Sequence, residues 1–170
     1  EFRRVLFRSD AESRRGVVLA KSMIAKKSGI ITGESLFTAR KKCKNLMVIS
    51  PDFRLYERCS ISMREIFGDY TPYVEKFSID ECFLDMTSYN TSKEAALKIA
   101  CDIKDRIKKE LGFTVNVGIS NVKLLAKMAS DFEKPDKVHT LYENEIEKKL
   151  WNLSVGRSEE RRVGKECSQG

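Results

Sequence analysis

No Cys-x-x-Cys pair occurs in this sequence. Its five cysteines, Cys43, Cys59, Cys82, Cys101 and Cys167, are scattered. An odd, dispersed set excludes a disulfide framework or a zinc ribbon, and the five read as small buried hydrophobes. Histidine is nearly absent: His139 stands alone, with no second ligand nearby to build a nitrogen-based metal centre. No run approaches the roughly 20 apolar residues of a membrane span. Arg3, Arg4 and Arg8 break up the stretch where a signal core would lie. The expected location is cytoplasmic. Internal repeats and low-complexity tracts are also missing.

What is present reads as folded protein. Of 170 residues, 41% are hydrophobic and 34% charged, enough for one or two small domains with real cores. A net charge of +7 permits a nucleic-acid partner without requiring one. Part of that charge sits at the ends. Residues 1–9 and 156–170 are rich in Arg and Glu, show no strand or helix period that would bury a face, and resemble translated adaptor sequence. The first carries three basic and one acidic residue and the second four basic and three acidic, so together they supply three of the seven charges.

Between the ends, local signals follow one another closely. Val17 to Ala20 is a short apolar entry. Residues 21–28 predict a short helix stopped by Gly29 as a left-handed cap. Residues 34–43 predict a second, with Leu36, Ala39 and Cys43 along one side. Leu46 to Ile49 reads as a short strand ended by Ser50-Pro51-Asp52. A helix is expected over 54–67, with Leu55, Cys59, Met63 (or Ser62) and Ile66 at helical spacing and Gly68 closing it. Strands follow over 73–77 and 82–86. Thr91 and Glu94 suggest a capping box for a long helix to Leu111, with Ala96, Ile99, Ala100, Ile103 and Ile107 on one face. A strand over 113–119 and a helix over 121–130 complete the series. The fold class is α+β: a small, mostly helical unit, then a ferredoxin-like unit with a mixed or antiparallel sheet and helices on one face.

Asp80-Glu81, between two apolar strands, is the feature that can carry chemistry. Neighbouring strand residues point to opposite faces, so both carboxylates reach one site only from a turn or bulge. Hard Mg²⁺ ions take oxygen ligands, and two-metal phosphoryl transfer needs converging carboxylates. Taken alone, the pair reads first as an ordinary polar hairpin turn, since acidic pairs at turns are common. Asp85 is a third acid nearby, explained as readily by a strand end facing solvent.

The run Ser78-Ile79-Asp80-Glu81-Cys82-Phe83-Leu84-Asp85-Met86-Thr87 resembles the acidic palm motif of Y-family (DinB/UmuC-type) translesion DNA polymerases. Val18-Leu19-Ala20-Lys21-Ser22, Ala25-Lys26-Lys27-Ser28-Gly29-Ile30 and Thr32-Gly33 resemble the family's fingers. Pro51-Asp52-Phe53 with Tyr56 resembles the link back into the palm. Val117-Gly118-Ile119-Ser120-Asn121, Leu124, Ala126-Lys127, Ala129-Ser130-Asp131 and Lys134-Pro135 resemble its late palm segment. The likeness covers nearly all of residues 10–155 and is nearest to polymerases of Gram-positive bacteria.

The resemblance implies a nucleotidyltransferase of DNA damage tolerance, read as an internal fragment. Residues 10–53 would be part of the fingers, 54–150 the palm without its first strand, and 151–155 the start of a thumb. Asp80 and Glu81 would be catalytic and hold Mg²⁺. Lys26, Met23 and Lys134 stand at nucleotide-binding positions. Lys26 replaces a usual Arg, and keeps the charge without the bidentate fork. Met23 replaces a usual Tyr and cannot donate its hydrogen bond. Exposed surface lysine is the plain alternative for Lys26 and Lys134. Lys104, Arg106, Lys108 and Lys109 read as the solvated face of an amphipathic helix. The family's first metal-binding Asp and the bulky residue that excludes ribonucleotides have no counterpart in residues 1–9, so the chain alone is expected to be inactive. Implied partners are primer-template DNA, deoxynucleoside triphosphates and a sliding clamp reached through a missing C-terminal region. Two other classes compete. A noncatalytic nucleic-acid-binding module would bind DNA without needing Asp80 and Glu81. A palm-type nucleotide cyclase would require a Gly-Gly-acidic-Glu-Phe hairpin, and this sequence has none.

Overall fold

A computed structural model of the chain describes residues 4–8, 16–89 and 92–151. The chain divides into two units, Glu1–Glu57 and Arg58–Gly170. Residues 152–170, including the expected thumb start beyond Trp151 and the adaptor-like tail, lie outside the described residues, as do Thr91 and Cys167. Among the described residues no helix is long and apolar enough to cross a membrane.

The first unit holds the two predicted helices, α1 (Met23–Lys27) and α2 (Leu36–Lys42), and a three-stranded sheet. The sheet order is β2 (Val17–Lys21), β1 (Arg4–Arg8), β3 (Met47–Ile49). Residues 1–9 carry no periodicity that predicts a strand, yet β1 pairs antiparallel with β2 and parallel with β3. The reason is tertiary: two neighbouring edges offer unpaired backbone groups on both sides of the segment. Val18, Ala25, Ile30, Leu36, Ala39 and Cys43 form one buried cluster, so the α2 stripe read from the sequence does face a core. Gly29 sits at φ +78°, the left-handed geometry expected of a helix stop.

Helix α3 (Phe53–Gly68) crosses from one unit to the next. In the second unit it is followed by β4 (Val74–Lys76), β5 (Cys82–Leu84), α4 (Lys93–Leu111), β6 (Val117–Ile119), α5 (Lys123–Ser130), β7 (Val138–Thr140) and α6 (Ile146–Lys149). Strands β4 and β5 form an antiparallel hairpin; β6 and β7 pair in parallel. Met63, Ile66 and Phe67 of α3 and Ile103 and Ile107 of α4 make the main core, with Val74, Cys82 and Leu84 packed against it. Two helices thus cover one face of the hairpin, as the amphipathic stripes predict. Each such buried Ile contributes about 1.5–3 kcal/mol. The α3 stripe is incomplete at its start, where Leu55 is exposed.

Three details differ from expectation. The α4 cap is Ser92, whose hydroxyl accepts the Ala95 N–H at 3.2 Å. The sequence pattern places the cap at Thr91; Ser92, the next residue, has the same kind of hydroxyl, and cap position is the least determined feature of a helix boundary. Replacing Ser92 by Ala is expected to cost about 1 kcal/mol, a fall in melting temperature of roughly 2–4 °C by calorimetry. Strand β6 is shorter than residues 113–119, because Phe113 and Val115 pack onto the main core instead of joining the ladder. The cysteines are not uniformly internal: Cys43 is buried, Cys59 and Cys82 half-buried and Cys101 exposed.

Candidate metal and nucleotide site

Asp80 and Glu81 lie in the loop joining β4 to β5. The ladder ends at the Lys76–Cys82 pair. Beyond it the N–H groups of Phe77 and Ser78 both donate to the Glu81 carbonyl, at 3.0 and 3.1 Å. Two residues facing one is the arrangement of a β-bulge, here at Phe77 and Ser78, and it breaks the strict alternation of the ladder just where the loop begins. Ser78 Oγ donates to Asp80 Oδ1 at 2.7 Å, tying the turn to the first carboxylate. Asp80 is exposed and Glu81 half-buried. Cys82 and Leu84 point into the core, so alternation puts Phe83 on the opposite face, where its ring meets Phe77 edge-on at 5.6 Å.

Helix α5 reaches this loop with two lysines one turn apart. Lys123 pairs with Glu75 of β4 at 2.5 Å and lies 4.6 Å over the Phe83 ring. Lys127 pairs with Glu81 through Oε1. The helix can sit this way because residue 118 is glycine: a Cβ there would come within 1.9 Å of the Ala126 carbonyl oxygen and 2.6 Å of the Ser130 nitrogen. Sequence reasoning assigned no role to Lys123, Lys127 or Gly118 individually. The i,i+4 spacing of the two lysines was the available signal.

The other predicted residues are distributed as follows. Lys134 follows α5 and pairs with Asp131 at 2.6 Å on an exposed surface, a contact worth little by itself. Lys26 and Met23 lie on α1 in the first unit, both exposed. The Asp85 carboxylate accepts the Thr87 N–H at 2.8 Å and bonding to Thr87 holds it below the usual carboxylate range. His139, in β7, stacks edge-on with Phe132 at 5.9 Å. Among the described residues no three His, Cys, Asp or Glu side chains cluster as a metal site.

The α4 lysines are not a plain solvated face. Lys104 and Lys108 both bind Asp136, at 3.1 and 2.7 Å, just beyond Lys134 and Pro135. Arg106 instead bridges Glu110 and Asp69. Bonding to Lys108, then to Lys104, holds the Asp136 carboxyl below its ordinary pKa. A depressed folded-state pKa adds stability that is present above the unfolded value and lost as pH falls through the folded one. Asp136→Asn is therefore expected to be less stable than the parent at neutral pH, with the two melting temperatures converging on acidification below about pH 4. Asn tolerates the φ of +61° found at this position, so backbone strain does not confuse the comparison. A gap that persists unchanged at pH 2.5 would sink this linkage.

Comparison with known proteins decides the lineage. The profile of the impB/mucB/samB family matches residues 6–131. The chain belongs to that family. Its family relatives include DNA polymerase IV of Clostridium acetobutylicum, 57% identical over 147 residues, a match covering 86% of this chain and 37% of the relative. DNA polymerase IV of Acetivibrio thermocellus is 44% identical over 144 residues, covering 85% of this chain and 36% of the relative. The chain thus spans a little over a third of the length of the curated relatives it matches. The family fold is seen in the crystal structure of DinB from Sulfolobus solfataricus, with a TM-score of 0.83 at 24% identity, over 98% of this chain and 50% of that one. The Y-family resemblance carried by the Ser78 to Thr87 run and its flanking motifs therefore holds.

Proposed function

We propose that the protein to which this chain belongs is a template-directed translesion DNA polymerase that extends a primer 3′ end with deoxynucleotides. Family membership and the similarity to DNA polymerase IV relatives support the activity class. The observation that supports the site is that Asp80 and Glu81 both fall in the short loop between β4 and β5, where strand alternation ends.

The donor set fits Mg²⁺. Both ligands are hard carboxylate oxygens, no thiolate or imidazole shares the loop, and Mg²⁺ sites commonly combine one or two carboxylates with water and substrate phosphates. Asp80 and Glu81 would hold the metal, which when bound offsets the charge that develops on the attacking, transferred and leaving oxygens. Ser78 keeps Asp80 in place, and α5 keeps Glu81 in place. The primer 3′-hydroxyl oxygen would form a bond to the α-phosphorus as the bond to pyrophosphate breaks and the hydroxyl proton leaves. Lys26 and Lys134 would set cations against the triphosphate, as point charges without the fork of an arginine. Met23 would contribute only apolar contact. Primer-template DNA and deoxynucleoside triphosphates are the partners on this reading. A sliding clamp would be a further partner. The location would be cytoplasmic.

Primer extension by the full-length protein, beside Asp80→Asn and Glu81→Gln, tests this. Extension lost in both variants, with salt-sensitive DNA binding retained, is the expected result. Extension unaffected by either substitution would remove Asp80 and Glu81 from the chemistry. DNA binding without extension in the parent protein would favour a noncatalytic module.

A further inference from the structure

Lys127 is 46 residues from Glu81, and the two side chains meet half-screened from water, at 25% and 34% exposure. An ion pair so placed interacts more strongly than one in open solvent. The contact is not a chance surface encounter. Gly118 lets the α5 backbone press directly on β6, and Lys123, one turn before Lys127, anchors the same helix to Glu75 and Phe83. The hairpin is thereby held from one helix face at its central Glu75–Phe83 pair and at its loop. Lys127 also lies in the last turn of α5, where the helix dipole favours a cation.

The placement has a chemical consequence. Asp80 and Glu81 are adjacent acids in one short loop, and neighbouring like charges repel. Lys127 supplies the opposing charge at Glu81 through Oε1. We propose that Lys127 is a positioning residue that holds Glu81 in place in the metal-free protein and competes with the incoming divalent cation for that carboxylate. This rests on the polymerase reading of Asp80 and Glu81. A purely structural pin would stabilise α5 against the hairpin and leave cation affinity alone. A competing positioner makes cation binding tighter when it is removed, because a repelling charge has gone, while turnover falls because Glu81 is no longer oriented.

The test uses the full-length protein and Mn²⁺ alone, followed by electron paramagnetic resonance, with single-turnover extension measured separately. Lys127→Met is expected to bind Mn²⁺ roughly tenfold more tightly and to extend primers roughly tenfold more slowly. Lys127→Arg should restore both towards the parent values. Lys123→Met, which breaks the neighbouring anchor without touching Glu81, should lower thermal stability and leave Mn²⁺ affinity unchanged. If Lys127→Met does not fold, Lys127→Gln, which keeps a donor without the charge, makes the same comparison. Mn²⁺ affinity that is unchanged or weaker without the Lys127 charge overturns the proposal while leaving the polymerase reading intact. Mn²⁺ binding that survives Asp80→Asn with Glu81→Gln removes the metal site itself, and the proposal with it.

Discussion

Gly118→Ala is expected to destabilise the chain by about 3 kcal/mol or more, a drop in melting temperature of roughly 6–12 °C. The added methyl would meet backbone, not a flexible side-chain tip: the Ala126 carbonyl oxygen at 1.9 Å, the Ser130 nitrogen at 2.6 Å and the Ala126 carbonyl carbon at 3.0 Å. None of these can move without displacing α5 as a body. That shift would loosen Leu125 and Ala129 from Leu141, the small cluster under α5, and pull Lys127 from Glu81. The backbone conformation is not the issue, since Gly118 has no left-handed φ; the constraint is space. Gly68→Ala serves as the control. Nothing lies within 4 Å of a Cβ there, and the residue ends a helix, so the change should be neutral or slightly stabilising. Thermal melts of the two variants check the argument directly. Equal stabilities would mean that α5 does not press on β6 as described.

Loss of the acidic pair is the second large effect. Asp80→Asn is expected to reduce primer extension by the full-length protein by about a thousandfold or more, roughly 4 kcal/mol of transition-state stabilisation. Asn keeps the volume and can still accept from Ser78 Oγ, so the turn should survive while the charge is lost. Glu81→Gln should be comparably inactive but is less clean, because it also deprives Lys127 of its carboxylate partner. A matched circular dichroism melt separates the two contributions. Activity within tenfold of the parent in the folded Asp80→Asn protein would be incompatible with Asp80 as a metal ligand.

Much of this could be read along the chain. The stripes Leu36, Ala39, Cys43 and Ala100, Ile103, Ile107 are buried because a 3.6-residue period leaves a helix only one apolar face to hide. The loop position of Asp80 and Glu81 also followed locally, since two adjacent carboxylates serve one site only where alternation breaks. Other features depended on partners distant in sequence. Strand β7 is three residues long and exists by pairing with β6, about 20 residues earlier; Val138-His139-Thr140 has too little pattern to announce itself. Strand β1 owes its form to the edges of β2 and β3, not to its own period. Lys127 looked like one more helix lysine until the close approach allowed by Gly118 brought it to Glu81. Periodicity and turn chemistry act over a few residues and are written locally. Which faces meet is set by long-range packing and by where one missing methyl group lets two backbones touch.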